Sequence, residues 1–237
     1  MAYYVGCSGY HYKDWRGKFY PEDLKNEKWL AYYAEHFNTV EINNTFYQIP
    51  EKKTLKEWVK ITPDSFRFTV KGSRYITHMK KLKDPEEHLD NFYDGIEPIK
   101  EKTGVILWQL PGNLHKNEEK IKNFCKLLDK NFINVIEFRH SSWFTEDIYE
   151  LLAEYDVVTC SLSSPDDLPA FLEDRTKKVY LRFHGKEEWY KYNYSKEELK
   201  KWADNLKRSR AKDYYVYFNN DVDANSVENA LMLKEIL

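Results

Sequence analysis

Nine polar residues stand where runs of β-forming residues come to an end. They are Glu41 and Asn43 in TVEINN, Lys71 in FRFTVK, Gln109 in GVILWQL, Glu137 and Arg139 in NVIEFR, Arg182 and His184 in VYLRFH, and Asn219 in YYVYFN. Carboxylates, guanidiniums, an amine and an imidazole together suit proton transfer on a charged substrate. Glu41 or Glu137 would serve as base and His184 or His140 as acid, while arginine forks hold an anion bidentately. Each residue alone has a structural explanation, as half of a buried ion pair or as a satisfied core histidine. Burying charge is costly unless it is paired. The same polar ending on strand after strand therefore points to one shared pocket.

Such a pocket needs strands that end at a common level. Eight β-rich runs are found at residues 3–8, 39–43, 66–71, 104–110, 134–139, 157–162, 179–184 and 214–219. Helix-like segments lie between them, among them NEKWLAYYAEHF, NEEKIKNFCKLLDK, TEDIYELLAEY and SKEELKKWADNLKRS, with SVENALMLKEIL at the end. Ser195 with Glu198 three residues on forms a capping box, while Thr145 lacks an acid at that spacing. The connection SSPDDLPAFLEDRTKK is short and leaves room only for a stub of helix. Strands alternating with helices predict an α/β fold, a (β/α)8 TIM barrel of eight parallel strands with surrounding helices. An open doubly wound sheet is the alternative, but no G-x-G-x-x-G follows the first strand. No linker or shift of composition divides the chain, so residues 1–237 are expected to form a single TIM-barrel domain.

Alternate strand residues face the barrel axis, and barrel sites form at the strands' C-terminal ends. Parity puts Val40 and Ile42 outward and Thr39, Glu41 and Asn43 inward. Phe66, Phe68 and Val70 face helices, leaving Thr69 and Lys71 inside. Val179, Leu181 and Phe183 leave Arg182 and His184, and Val216 and Phe218 leave Tyr217 and Asn219. On the fifth run Ile136 and Phe138 go outward, and Glu137 and Arg139 inward.

Around this mouth lie further candidates: Asn44 after the second run, Arg74, Tyr75 and His78 in a segment after the third that could act as a lid, His140 after the fifth, and Asn220 and Asp221 after the eighth. The last two would join Arg182, His184 and Gly185 where barrels often bind phosphate. Cations outnumber carboxylates here, so a phosphorylated or other anionic substrate is expected. The chemistry would be of hydrolase or lyase type. Glu, His and Asp would also suit a divalent metal, yet no H-E-x-x-H or H-x-H spacing occurs, and the nearby arginines oppose a cation. The sequence does not require a metal. Glycoside hydrolysis by Glu41 and Glu137 is a weaker reading. A non-catalytic alternative is a binding module for nucleic acid or another phosphate-bearing partner, with HGKEEWYKYNYSKEE supplying aromatics among charges. Tyr residues packing beneath a solvated helix start would explain that stretch equally.

Composition narrows the classes. Apolar residues make up 42% and charged residues 32%, as in a globular chain with a charged surface. A net charge of −2 argues against indiscriminate nucleic-acid binding. The three cysteines, Cys7, Cys125 and Cys160, are too far apart in sequence for a zinc knuckle and odd in number for a disulfide framework. No membrane-length apolar run or leader-like opening is present, so a cytoplasmic location is expected. Oligomeric state is not readable.

The motifs VGCSGYHYKDWRGKFYP, VEINNTFYQIP, FTVKGSRYITH, LWQLPG, IEFRHSSW, LRFHG and VYFNND…NA, taken in order, resemble the domain-of-unknown-function family 72, also called the YecE-like family. They run from residue 5 to about 230. The resemblance implies a TIM barrel and names no activity. Cys7 and Tyr10 depart from the family's usual Thr and Trp.

Overall fold

In the computed structural model, which describes residues 1–165 and 168–237, the eight runs form eight parallel strands. They are β1 (Ala2–Cys7), β2 (Thr39–Ile42), β3 (Arg67–Lys71), β4 (Thr103–Gln109), β5 (Ile133–Glu137), β6 (Val158–Ser163), β7 (Lys178–Phe183) and β8 (Asp213–Phe218). Among the described residues seven α-helices accompany them: α1 (Trp29–His36), α2 (Lys52–Ile61), α3 (Glu86–Ile96), α4 (Glu118–Leu127), α5 (Glu146–Glu154), α6 (Lys196–Arg208) and α7 (Asn225–Ile236). The strands pair in the order β1-β8-β7-β6-β5-β4-β3-β2, which makes a nearly closed (β/α)8 TIM barrel. Among the described residues no helix is long and apolar enough to cross a membrane.

The strand parity read from the sequence holds. Val40, Ile42, Phe68, Val70, Ile136, Val179, Leu181, Val216 and Phe218 join the apolar layer between strands and helices. A second, smaller cluster fills the barrel axis with Val105, Leu107, Val135, Val158, Cys160, Leu162, Tyr180, Tyr215 and Tyr217. Buried hydroxyls among these side chains must find partners. The Tyr217 hydroxyl lies 2.6 Å from Thr39 Oγ1 and 2.7 Å from Thr69 Oγ1, and so joins three strands across the axis. Above this level the interior turns charged.

Among the described residues no backbone hydrogen bond joins β1 to β2. The seam is closed by side chains instead. Tyr33 of α1 inserts its hydroxyl between the strands, accepting from the Cys7 amide at 2.8 Å and donating to the Thr39 carbonyl at 3.1 Å. Asn38 Nδ2 donates to the Tyr3 carbonyl at 2.8 Å. Gly6 permits this approach, since a Cβ there would lie 2.3 Å from the Thr39 oxygen.

Local signals behave as their chemistry requires. The Ser195–Glu198 capping box starts α6, whereas Thr145 precedes α5 without a side-chain cap bond. Between β6 and β7 the sequence leaves room for a stub of helix, but none occurs among the described residues. Asp166 and Asp167 of that connection lie outside them. Pro165 and Pro169 disfavour a continuous helical ladder there.

Candidate functional site

Arg182 is the hub of the charged layer. It donates through Nη1 to Glu137 Oε2 and through Nη2 to Glu41 Oε1, each at 2.6 Å, and through Nη2 to Ser8 Oγ at 3.0 Å. Glu41 also accepts from Tyr180 at 2.5 Å and from the Ser8 hydroxyl. Glu41, Glu137 and His184 are 0% exposed and Arg182 is 1% exposed. The three side chains expected to do acid/base work thus lie under the floor of the site. Their alternation on β2, β5 and β7 explains the convergence, because inward positions at the strand ends face one another across the axis.

Arg139 covers this layer. Its Nε donates to Glu137 Oε1, its Nη2 is 3.2 Å from His184 Nε2, and its guanidinium stacks 4.7 Å from the centre of the Trp189 ring. Gln109 Nε2 lies 3.2 Å from each Glu137 oxygen. Burial by itself would raise the Glu137 pKa. Arg139, Arg182 and the His184 hydrogen bond overcome that and hold it well below the usual carboxylate range. Burial, reinforced by the charges of Arg139 and Arg182, pushes His184 down to about 3, so its ring is neutral. The Asn219 amide sits 3.0 Å from His184 Nδ1. His184 Nε2 also faces Glu137 Oε1 at 3.4 Å.

A cleft of about 700 Å³ opens above Arg139, lined by His78, Gln109, Arg139, His140, Trp189 and Tyr190 together with residues 110–113, Ser141 and Leu168. His78 reaches it from a single π-helical turn, Tyr75–Met79, and is pushed down to about 4 by burial and by the charges of Lys71 and Arg74. Tyr75 of the same segment is exposed. His140 stacks on His115 with ring centres 3.9 Å apart and lies 2.9 Å from Ser142 Oγ. Lys71, at the end of β3, places Nζ 4.4 Å from the centre of the Phe46 ring. No carboxylate lies within 4 Å of Lys71 or Arg74 among the described residues. Burial, then Arg182, lowers the Lys71 amine to about 8, against the opposing pull of Glu137 and Glu41.

The remaining candidates divide by parity. Asn43 turns inward and donates through Nδ2 to Ser8 Oγ at 2.8 Å, while Asn44 is exposed at the start of a 3-10 turn. Asn43 and Asn44 line a smaller pocket of about 300 Å³ with Glu41, Tyr10, His11 and Tyr12. Asn219 joins His184, but Asn220 points away, donating to the Tyr192 carbonyl at 2.7 Å and to Asn229 of α7 at 2.8 Å. The structure thus assigns Asn220 to the packing of α7. Asp221 accepts from Tyr12 at 3.0 Å, and burial raises it to about 7. Gly185, at φ +118°, spends its freedom on the chain's own turn, where a Cβ would meet the Glu188 oxygen at 2.2 Å. Its amide donates to Tyr194 at 3.0 Å.

Four contributors escape the sequence reading: Ser8, Tyr12, Tyr180 and Trp189. Ser8 continues the inward parity of Tyr4 and Gly6, and Tyr180 precedes Arg182 by two, so the same alternation marks both. Tyr12 and Trp189 lie in loops, where no period identifies them. Among the described residues no group of three His, Cys, Asp or Glu could hold a metal ion. The two carboxylates at the axis are instead taken up by guanidiniums.

The family model described as "Protein of unknown function DUF72" matches residues 4–237. The chain is 28% identical to the UPF0759 protein YunF of Bacillus subtilis (strain 168), over 99% of this chain and 94% of that protein. It is 30% identical to the UPF0759 protein YecE of Escherichia coli (strain K12), over 49% and 43%. A DUF72 family crystal structure from Thermotoga maritima MSB8 superposes with a TM-score of 0.88 at 34% identity, covering 100% of this chain and 99% of that one. One from Enterococcus faecalis V583 gives 0.86 at 22%, with coverage of 100% and 95%, a likeness of fold. With the family model matched over residues 4–237, the chain is a member of the DUF72 family.

Proposed function

We propose that the cleft at the C-terminal face binds a small anionic substrate, phosphorylated or carboxylated, and carries out acid/base chemistry on it. The carrying observation is the amine of Lys71, a cation with no carboxylate within 4 Å among the described residues. Glu41 and Glu137 are neutralised by Arg182 and Arg139. His78 and His184 are uncharged near neutrality. Lys71 and Arg74, whose charges bear on the lining residue His78, therefore leave positive charge beside the cleft. Arg139, 16% exposed at its side chain and braced by Glu137, presents a guanidinium fixed in direction.

On this reading Glu41, Glu137 and His184 act as positioning residues rather than as groups that touch substrate. Proton transfer falls to Lys71, at the end of β3, and to His140 of the cleft lining. An amine near 8 is close to the operating pH, where a general acid or base is most effective.

Thermal unfolding of the metal-stripped protein with inorganic phosphate, sugar phosphates, dicarboxylates and oligonucleotides tests this. A ligand at about 100 times its Kd should add roughly 2.7 kcal/mol. The expected result is stabilisation by a small phosphate or carboxylate that disappears in Arg139→Gln. Stabilisation by oligonucleotides alone, falling steeply with salt, would instead support a nucleic-acid binding module. No response to any anion would refute both.

A further inference from the structure

The amine of Lys71 is placed for covalent as well as electrostatic work. It is an inward residue at the C-terminal end of a barrel strand, the level from which barrels present reacting groups. Its Nζ lies against the Phe46 ring at 4.4 Å, and no carboxylate stands within 4 Å of it among the described residues. A lysine is made nucleophilic by desolvation and by neighbouring cations. Both are present here, since the amine is packed against the Phe46 ring and Arg182 bears on it, against the opposing pull of Glu137 and Glu41. Resting on the anion-binding reading above, we propose that Lys71 forms an imine with an aldehyde or ketone that also carries a phosphate or carboxylate.

In the step, the neutral Lys71 amine attacks the carbonyl carbon, the carbonyl π electrons move to oxygen, and a proton passes from the nitrogen to that oxygen, restoring the nitrogen lone pair. One further proton is added to the hydroxyl, and the nitrogen lone pair expels it as water. The balance is one amine, one carbonyl and one proton in, and one iminium and one water out. The iminium draws electrons from the adjacent carbon, which suits making or breaking a carbon–carbon bond or removing a proton there. Arg139 and Gln109 would hold the anionic end, and the Phe46 face keeps the amine poorly hydrated. Lowering of the amine to about 8 fits this role. The charged and titratable groups facing it are Glu41 from β2, Glu137 and Arg139 from β5, Arg182 from β7, and His78 from the π-helical turn.

The test is reductive trapping on the intact protein. The protein is incubated with pyruvate or dihydroxyacetone phosphate and sodium cyanoborohydride, then mapped by peptide mass spectrometry. Modification is expected to saturate and to favour the Lys71 peptide at least tenfold over any other lysine, with one of the two probes preferred. Inorganic phosphate should compete with the phosphate probe. The trapping rate should level off above about pH 8, where labelling of surface lysines continues to climb. Lys71→Arg should lose the modification. Labelling spread over surface lysines with no preference for Lys71 overturns the imine. If Arg139-dependent stabilisation persists in that case, the anion-binding reading survives alone; if it is also absent, both fail.

Discussion

Arg182→Met would show how much of the barrel depends on one buried charge. Methionine can follow the same path and fill most of the space, so the perturbation is chiefly electrostatic. The guanidinium ties Glu41 and Glu137, each at 2.6 Å and each fully buried. Its loss is unequal for the two. Glu137 keeps Arg139 and Gln109, whereas Glu41 keeps only the hydroxyls of Ser8 and Tyr180 and loses its one ion-pair partner among the described residues. Removing one partner of a buried pair costs about 3–5 kcal/mol. For a chain of 237 residues each kcal/mol moves Tm by roughly 2–4 °C, so the fall should be roughly 6–20 °C. The deficit should depend on pH. A carboxylate whose folded pKa is depressed, as for Glu137, stabilises above its unfolded value and loses that contribution as pH falls through the folded value. Without Arg182 that depression weakens and Glu137 takes up a proton more readily. The gap to wild type should therefore narrow from pH 8 to pH 5, as followed by urea unfolding with circular dichroism. Adding Glu41→Gln should recover part of the loss, with a coupling of about 0.5–3 kcal/mol. A variant within 1 kcal/mol of wild type, or a deficit equal at both pH values, would refute the neutralising role.

Tyr33→Phe should cost about 1–3 kcal/mol by leaving the Cys7 amide and Thr39 carbonyl without their shared hydroxyl. Hydrogen exchange at the Cys7 amide should quicken well beyond that of its neighbours in β1. Asp221, raised by burial from 3.8 to about 7, contributes stability present below pH 3.8 and lost as pH rises through about 7. Asp221→Asn should remove that alkaline decline, read as a flatter Tm profile between pH 4 and 8. Ser195→Ala should lower stability by about 1 kcal/mol through loss of the α6 capping box, measured in denaturant, with anion binding unchanged.

Much of the site was readable because a barrel converts strand parity into position. Glu41, Glu137, Arg139, Arg182 and His184 fall together for that reason, and the same rule separates Asn219 from Asn220. Applied past the strand end, it would have sent Asn220 outward, where it packs on α7. The hydroxyls were harder to see. Tyr180 is one of 19 tyrosines, and its type does not reveal that it donates to a buried carboxylate. Trp189 and Tyr12 come from loops, whose paths depend on tertiary contacts rather than on a repeat. Depth was also hidden. Parity states which way Glu137 points, not that Arg139 will cover it.

The seam between β1 and β2 also bears on strand addition. A ring of strands closed by hydrogen bonds has no unpaired border, while an interrupted one has two, each a template for an incoming strand. Here both borders face each other across a gap in which Gly6 leaves no room for so much as a methyl group. Tyr33 and Asn38 satisfy polar groups that a ninth strand would seek. One phenolic hydroxyl thus serves as a guard against strand addition, and its removal exposes a sticky border as well as weakening the barrel.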